Sequence, residues 1–147
     1  MKKALAILGA ASSIFAGMIT LAPSASAAGY GCSGSEVDTY PMYNSGTQFG
    51  TVHLYYDSST GKNCAVTVAT TAGGYGSSKL MYVSLDRCDE TVDKGSCTGP
   101  AGVSDKGYYD YYAGPVSISA AGHCIAVTGQ ITYNGKYAGA FDIGHCG

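Results

Sequence analysis

The stretch Gln130-Ile-Thr-Tyr-Asn-Gly-Lys-Tyr-Ala-Gly-Ala-Phe141 decides the fold class. Asn134-Gly135 separates two runs rich in β-branched and aromatic residues. A type I′ turn needs positive φ at both central residues, and Asn-Gly accepts that at least cost. The segment therefore predicts a hairpin between strands over 123–133 and 136–146. The same texture recurs upstream. In Gly50-Thr-Val-His-Leu-Tyr-Tyr-Asp57, Val52, Leu54 and Tyr56 alternate with Thr51, His53 and Tyr55, a strand period. Residues 58–62 turn the chain, and 63–71 return with Cys64, Val66 and Val68 on one face. Residues 79–87 place Met81, Val83 and Leu85 together. Residues 108–120 form a further strand, in which Pro115 cannot donate to a ladder and marks an edge, a bulge or a start. Residues 72–78 read as a flexible loop and 88–107 as a longer one. No segment sustains a helical period. Six or seven short strands with tight turns predict an all-β domain, a small antiparallel β-sandwich or barrel.

The rest of the 147-residue chain agrees with a folded, exported protein. Only 12% of residues are charged and 46% are hydrophobic, which argues against disorder. The 22 glycines follow no strict triplet, which excludes collagen. Lys2 and Lys3 precede an apolar stretch over 4–22, and Ala25-Ser26-Ala27 supplies a small-residue cleavage site. Residues 1–27 are expected to be a signal peptide and 28–147 a single secreted domain, with no transmembrane segment after cleavage. In 28–147, six Lys and Arg face ten Asp and Glu, a net of −4. No basic run exists to replace counterions on phosphates, so nucleic acid is not an expected partner.

All six cysteines lie after residue 27. Outside the cytoplasm they are expected to form three disulfides. Cys88 and Cys97 bracket a short polar stretch and favour each other. Fifteen connectivities are open to six cysteines. The expected remainder pairs Cys64 with Cys124 across the core and Cys32 with Cys146 between the termini.

The chain is then found to resemble a family. Gly50-Thr-Val-His-Leu-Tyr-Tyr is followed by Thr60-Gly-Lys-Asn-Cys64-Ala-Val-Thr-Val, and Tyr112-Ala-Gly-Pro-Val116 by Gly122-His-Cys124-Ile. With Cys32 and the final His145-Cys146-Gly147, these pieces resemble the spore-associated protein A family, small secreted proteins of spore-forming filamentous actinobacteria. The resemblance implies an extracellular protein found with spores or aerial hyphae. It implies no known enzyme activity and supplies no catalytic residues. Cys88 and Cys97 look like additions to the family's four-cysteine pattern.

Motifs for chemistry are weak. His123 and His145 stand beside Cys124 and Cys146, but strand neighbours point to opposite faces and do not readily chelate one ion. No metal or cofactor is expected. His53 or His123 with Glu36, Glu90 or an Asp would be the parts of a small hydrolase, yet no Gly-x-Ser-x-Gly elbow accompanies them. Asp86, Asp89, Glu90 and Asp93 lack an EF-hand spacing and read as a solvated loop. Gly29-Tyr-Gly-Cys-Ser-Gly34 matches a dinucleotide fingerprint only formally, with no strand before it.

The marked bias is tyrosine: 13 Tyr, 3 Phe and no Trp. Tyr108, Tyr109, Tyr111 and Tyr112 cluster around Asp110. On one strand, 108 and 112 would share a face and 109 and 111 the other, and both faces cannot be core. Rings are therefore expected at the surface, where a flat ring with a polar tip suits sugars or adhesion, and Tyr108, Tyr109, Tyr111 and Tyr112 are the expected surface-binding residues. Tyr is also a good strand former, which explains part of the bias without function. The expected function is a non-enzymatic, spore- or cell-surface-associated protein with a structural or adhesive role. Its partner would be the spore or cell-wall surface, including carbohydrate. The alternative is a secreted inhibitor or ligand-binding module presenting the loop 88–97, and third comes the small hydrolase.

Overall fold

The computed structural model describes residues 29–147. The expected signal peptide over 1–27 lies outside the described residues. A short 3-10 turn at Gly29–Gly31 leads into eight strands. These are β1 (Ser35–Asn44), β2 (Thr47–Asp57), β3 (Lys62–Ala69), β4 (Lys79–Arg87), β5 (Ala101–Tyr109), β6 (Tyr112–Ser119), β7 (Ile125–Tyr133) and β8 (Lys136–Gly144). They form two four-stranded antiparallel sheets, ordered β1-β2-β3-β6 and β5-β4-β7-β8. The two sheets pack as a sandwich, the all-β architecture expected from the strand pattern.

The turn that fixed the class is present. Asn134 and Gly135 have φ of 50° and 72°, and Tyr133 pairs with Lys136. Ser45-Gly46 makes the same kind of turn between β1 and β2, with φ of 47° and 82°. Ser-Gly is a weaker signal than Asn-Gly, and β1 opens with the polar run Ser-Glu-Val-Asp-Thr, so sequence pattern alone misses this strand. It also misses β5. Residues 101–107 were expected in a loop, but Ala101–Tyr109 pairs with β4 along its whole length. Gly102, Ser104, Asp105, Lys106 and Gly107 have poor strand propensity; pairing with the apolar β4 overrides it.

Alternation then sorts each strand. Met42, Val52, Leu54 and Ala65 from the first sheet meet Met81, Val83, Leu85, Ile125, Val127 and Ile131 from the second. Each large side chain buried here contributes about 1.5–3 kcal/mol over an exposed one. Gly129 sits where the two sheets approach closely. A Cβ there would lie 2.1 Å from Val52 Cγ2 and 2.7 Å from Thr67 Oγ1.

The outer faces differ from each other. On the first sheet, Tyr55, Cys64, Val66 and Val68 form a second apolar layer with Cys32. The N-terminal turn lies over it, with Tyr30 against both His53 and Tyr112. β3 is consequently buried on both sides. On the second sheet, Cys88, Cys124 and Ala126 form a smaller cluster near one end.

This layering corrects the long-range disulfides. Cys32 bonds Cys64, Cys124 bonds Cys146, and Cys88 bonds Cys97. The expected Cys64–Cys124 and Cys32–Cys146 pairs are therefore wrong. Cys64 pairs laterally with Tyr55, opposite in face to Leu54 and Ala65, so it points away from the core. Cys124 packs with Ala126 and Ile143 on the far side of the other sheet. The whole sandwich stands between them, and each thiol meets the terminal cysteine on its own side.

The sheet edges meet at two seams, β1 against β8 and β5 against β6. Each carries a side-chain peg. Asn44 Nδ2 donates to Tyr137 O at 2.7 Å, and Asp105 Oδ2 accepts from Gly114 N at 2.7 Å.

Candidate functional site: a tyrosine corner

Residues 108–112 are not one strand. β5 ends at Tyr109, Asp110 and Tyr111 turn, and β6 begins at Tyr112 on the other sheet. The expected two-face alternation over 108–112 is thereby corrected: the backbone bends, and the rings fan out around a corner.

The corner is pinned through its carbonyls. Lys79 is only 2% exposed, and its ammonium donates to Ser77 O at 3.0 Å, Tyr109 O at 3.2 Å and Asp110 O at 2.7 Å. Three donors meet three acceptors, which is how a buried ammonium is tolerated. Burial nevertheless pulls its pKa below the ordinary lysine value. Gly76 N adds a bond to Asp110 O at 2.7 Å, and Ala69 N bonds Tyr111 O at 3.0 Å.

With the backbone held, the side chains divide by role. Tyr109, expected among the surface-binding rings, instead turns inward, packs against the core and donates its hydroxyl to Asp105 at 2.5 Å. That bond raises its pKa, since the anion would face a carboxylate. Tyr108, Tyr111 and Tyr112 are exposed. Tyr111 meets Tyr75 edge to face, with centroids 4.9 Å apart. Tyr112 meets Tyr30 at 5.4 Å. A shallow, open depression runs between Tyr108, Tyr111, Tyr112 and Gly114. Sequence reasoning missed Tyr75 and Lys79. The isolated ring in Gly73-Gly74-Tyr75-Gly76 was a signal for the first. Lys79 looked like an ordinary strand-end charge.

The histidines do not converge. His53 Nδ1 lies 2.8 Å from Glu36 Oε2 on the outer face of the first sheet. His123 Nδ1 lies 3.0 Å from Cys88 O. His145 Nε2 lies 3.0 Å from Tyr40 Oη and 3.2 Å from Asp38 Oδ2, at the β1–β8 seam. Of the hydrolase pairings considered, only His53 with Glu36 is brought together. Tyr30 covers that imidazole, its ring 5.7 Å away. Burial together with Glu36 raises the neighbouring Tyr55 to about 12. Cys88, Glu90 and Cys97 lie close enough to suggest a metal cluster, but both sulfurs are committed to a disulfide.

In the stapled loop, Glu90 acts on the backbone. It accepts from Thr98 N at 2.9 Å and from Thr98 Oγ1 at 2.7 Å. These bonds favour the carboxylate and lower its pKa. The unfolded carboxyl titrates near 4.5, so the loop's order is expected to be full above that pH. It should fade as pH falls through the lower folded pKa. Protection of the Thr98 amide against exchange, corrected for intrinsic rates, should drop in that window and not in Glu90→Gln.

A disulfide-stapled, all-β sandwich with an aromatic corner is thus the class of protein defined here. No protein-family model matches the chain, and no solved structure matches it. Among curated proteins, it is 36% identical over 132 residues to Spore-associated protein A of Streptomyces coelicolor, covering 86% of this chain and 78% of that protein. The chain belongs to the spore-associated protein A family.

Proposed function

We propose that this is a secreted, non-enzymatic protein that associates with the spore or cell-wall surface through its tyrosine corner. Residues 1–27 direct export in this reading, and 28–147 are the mature domain. One observation carries it: Tyr75, Tyr108, Tyr111 and Tyr112 are exposed together on a corner whose backbone is pinned by a buried lysine. Rigid aromatic side chains offer contact area at small entropic cost. Membership in a family named for spore association supports the location. No helix among the described residues is long and apolar enough to cross a membrane.

The test is retention on washed spores and hyphae of the producing culture. The double variant Tyr108→Ser/Tyr111→Ser is expected to shift most of the protein into the wash while its melting temperature holds within a few degrees. Unchanged retention would remove the corner from the adhesive role. Tyr109 is left intact, because its hydroxyl holds Asp105 and its ring supports the core.

The stapled loop favours a second reading as an inhibitor or binding module. Its residues Val92 and Lys94 project to solvent between Cys88 and Cys97. A panel of secreted proteases and glycosidases would reveal inhibition, which Val92→Asp should abolish.

A further inference from the structure

The second sheet has an outer face of unusual make-up. Laterally paired residues in an antiparallel sheet point to the same side. The registers therefore align Tyr108, Leu80, Thr132 and Tyr137 in one row across β5, β4, β7 and β8. The next row inward holds Tyr82 and Gln130 beside Gly139, and the third holds Ser84 and Thr128 beside Phe141. All lie opposite in face to the core residues Met81, Val83, Ile131 and Val127. Three of the rings are strongly exposed: Tyr108 at 75%, Phe141 at 64% and Tyr137 at 55%.

Tyr137 has a particular posture. A Cβ on Gly139 would lie within 3.0 Å of its ring carbon Cζ and clash with its hydroxyl. The ring is therefore laid down along the strand over the bare glycine, one flank on the sheet and the other toward solvent. Glycine at 139 makes room for it. Phe141 follows two residues on, and Thr128, Gln130 and Thr132 run beside both rings on β7.

We infer that this outer face is a platform for a neutral, β-linked polysaccharide, with Tyr137 and Phe141 as the stacking rings. The ligand chemistry follows from three features. First, the face around Tyr137 and Phe141 lines none of the main depressions, the nearest of which is the shallow one beside Tyr108 at its edge, whereas small ligands favour concave sites. The row from Tyr108 to Tyr137 spans about 14 Å at the usual strand spacing, which suits an extended polymer. Second, rings alternate with hydroxyl and amide side chains. A β-linked pyranose chain offers matching surfaces, flat C–H faces for the rings and equatorial hydroxyls for Thr128, Gln130 and Thr132. Third, the charge matches a neutral polymer. The three rows include one charged residue, Lys106 on the edge strand β5, and none on β7 or β8. An anionic polymer would find almost no counter-charge there.

This inference deepens the surface-associated reading and rests on it only for the location of the ligand. The experiment is co-sedimentation of the oxidised, full domain with washed chitin and with cellulose, at 0.1 and 1 M NaCl. Pelleting with at least one of them, little changed by salt, is expected. Tyr137→Ser/Phe141→Ser should weaken it at least tenfold. Gly139→Val, which lifts the Tyr137 ring, should weaken it in the same direction. Both rings are exposed, and circular dichroism of each variant checks the fold. A variant that does not fold is replaced by the single Phe141→Ser. The inference is overturned if wild type pellets with neither glycan, if binding collapses at 1 M NaCl, or if the ring variants pellet like wild type. Self-association that the double variant abolishes, without glycan binding, also overturns it and assigns the face to a second copy. Spore retention fails separately: a protein that binds glycan yet washes off spores refutes the location and leaves the platform standing.

Discussion

Lys79→Met is expected to lower the stability of the folded domain by about 2–4 kcal/mol, seen as a urea midpoint shift and a melting temperature lower by roughly 10 °C. Methionine matches the lysine stem in length, so packing along the stem is kept. The ammonium is lost, and with it the donors to Ser77 O, Tyr109 O and Asp110 O. Hydrogen bonds from a charged donor contribute about 1.5–3 kcal/mol each, and the values do not add. Asp110 O keeps Gly76 N as a donor, so the main penalty falls on the Tyr109 and Ser77 carbonyls. Lys79→Arg should recover only part of the loss. A planar fork does not fit three acceptors that converge on one nitrogen. The corner rings should lose their fixed relation as well, so the Tyr75–Tyr111 contact should weaken in aromatic NMR spectra. A stability equal to wild type would show that the corner holds without its lysine.

Gly129→Val should cost about 3 kcal/mol, and it acts by the opposite route, too much matter instead of too few bonds. The Cβ alone would lie 2.1 Å from Val52 Cγ2, and two further methyl groups would have to enter a filled layer. Val52 and Met42 are fully buried, so neither can swing into solvent. The sheets would have to separate, which weakens every contact at the centre of the sandwich. Gly144→Ala is the control. It lies in the same sheet, its nearest neighbour would be 3.5 Å from the new Cβ, and its change should stay within about 0.5 kcal/mol. Equal melting of both variants would mean that Gly129 is not the point of close approach.

The sequence made the fold class plain where turn chemistry and alternation coincide. Asn134-Gly135 and the runs over β2, β3, β4, β7 and β8 carry that information locally. β1 and β5 escaped because their stability is not local: each is a polar strand recruited by an apolar neighbour. The disulfides divide in the same way. The Cys88–Cys97 spacing is local, and the pair found coincides with it. The long pairs depend on which face each cysteine takes, and one residue of register decides that. Cys64 shares its face with Val66 and Val68, an apolar set that reads like core in the sequence. It is the layer beneath the N-terminal turn, which nothing in the pattern of residues 63–71 announces. At the corner, the abundance of tyrosine was legible, but the division of labour was not. Tyr109 and Tyr108 are adjacent and chemically identical; strand alternation makes one a strut and the other a solvent-facing ring, and the pairing of β5 with β4 decides which.

The two pegged seams bear on how such molecules behave at high density. A sandwich with bare rims offers backbone groups that another copy can extend, strand upon strand, into a filament. Here Asn44 occupies a β8 carbonyl and Asp105 occupies a β6 amide, so the rims are engaged within the molecule. Copies brought together at high concentration are then expected to stay separate molecules and not to extend one another strand upon strand.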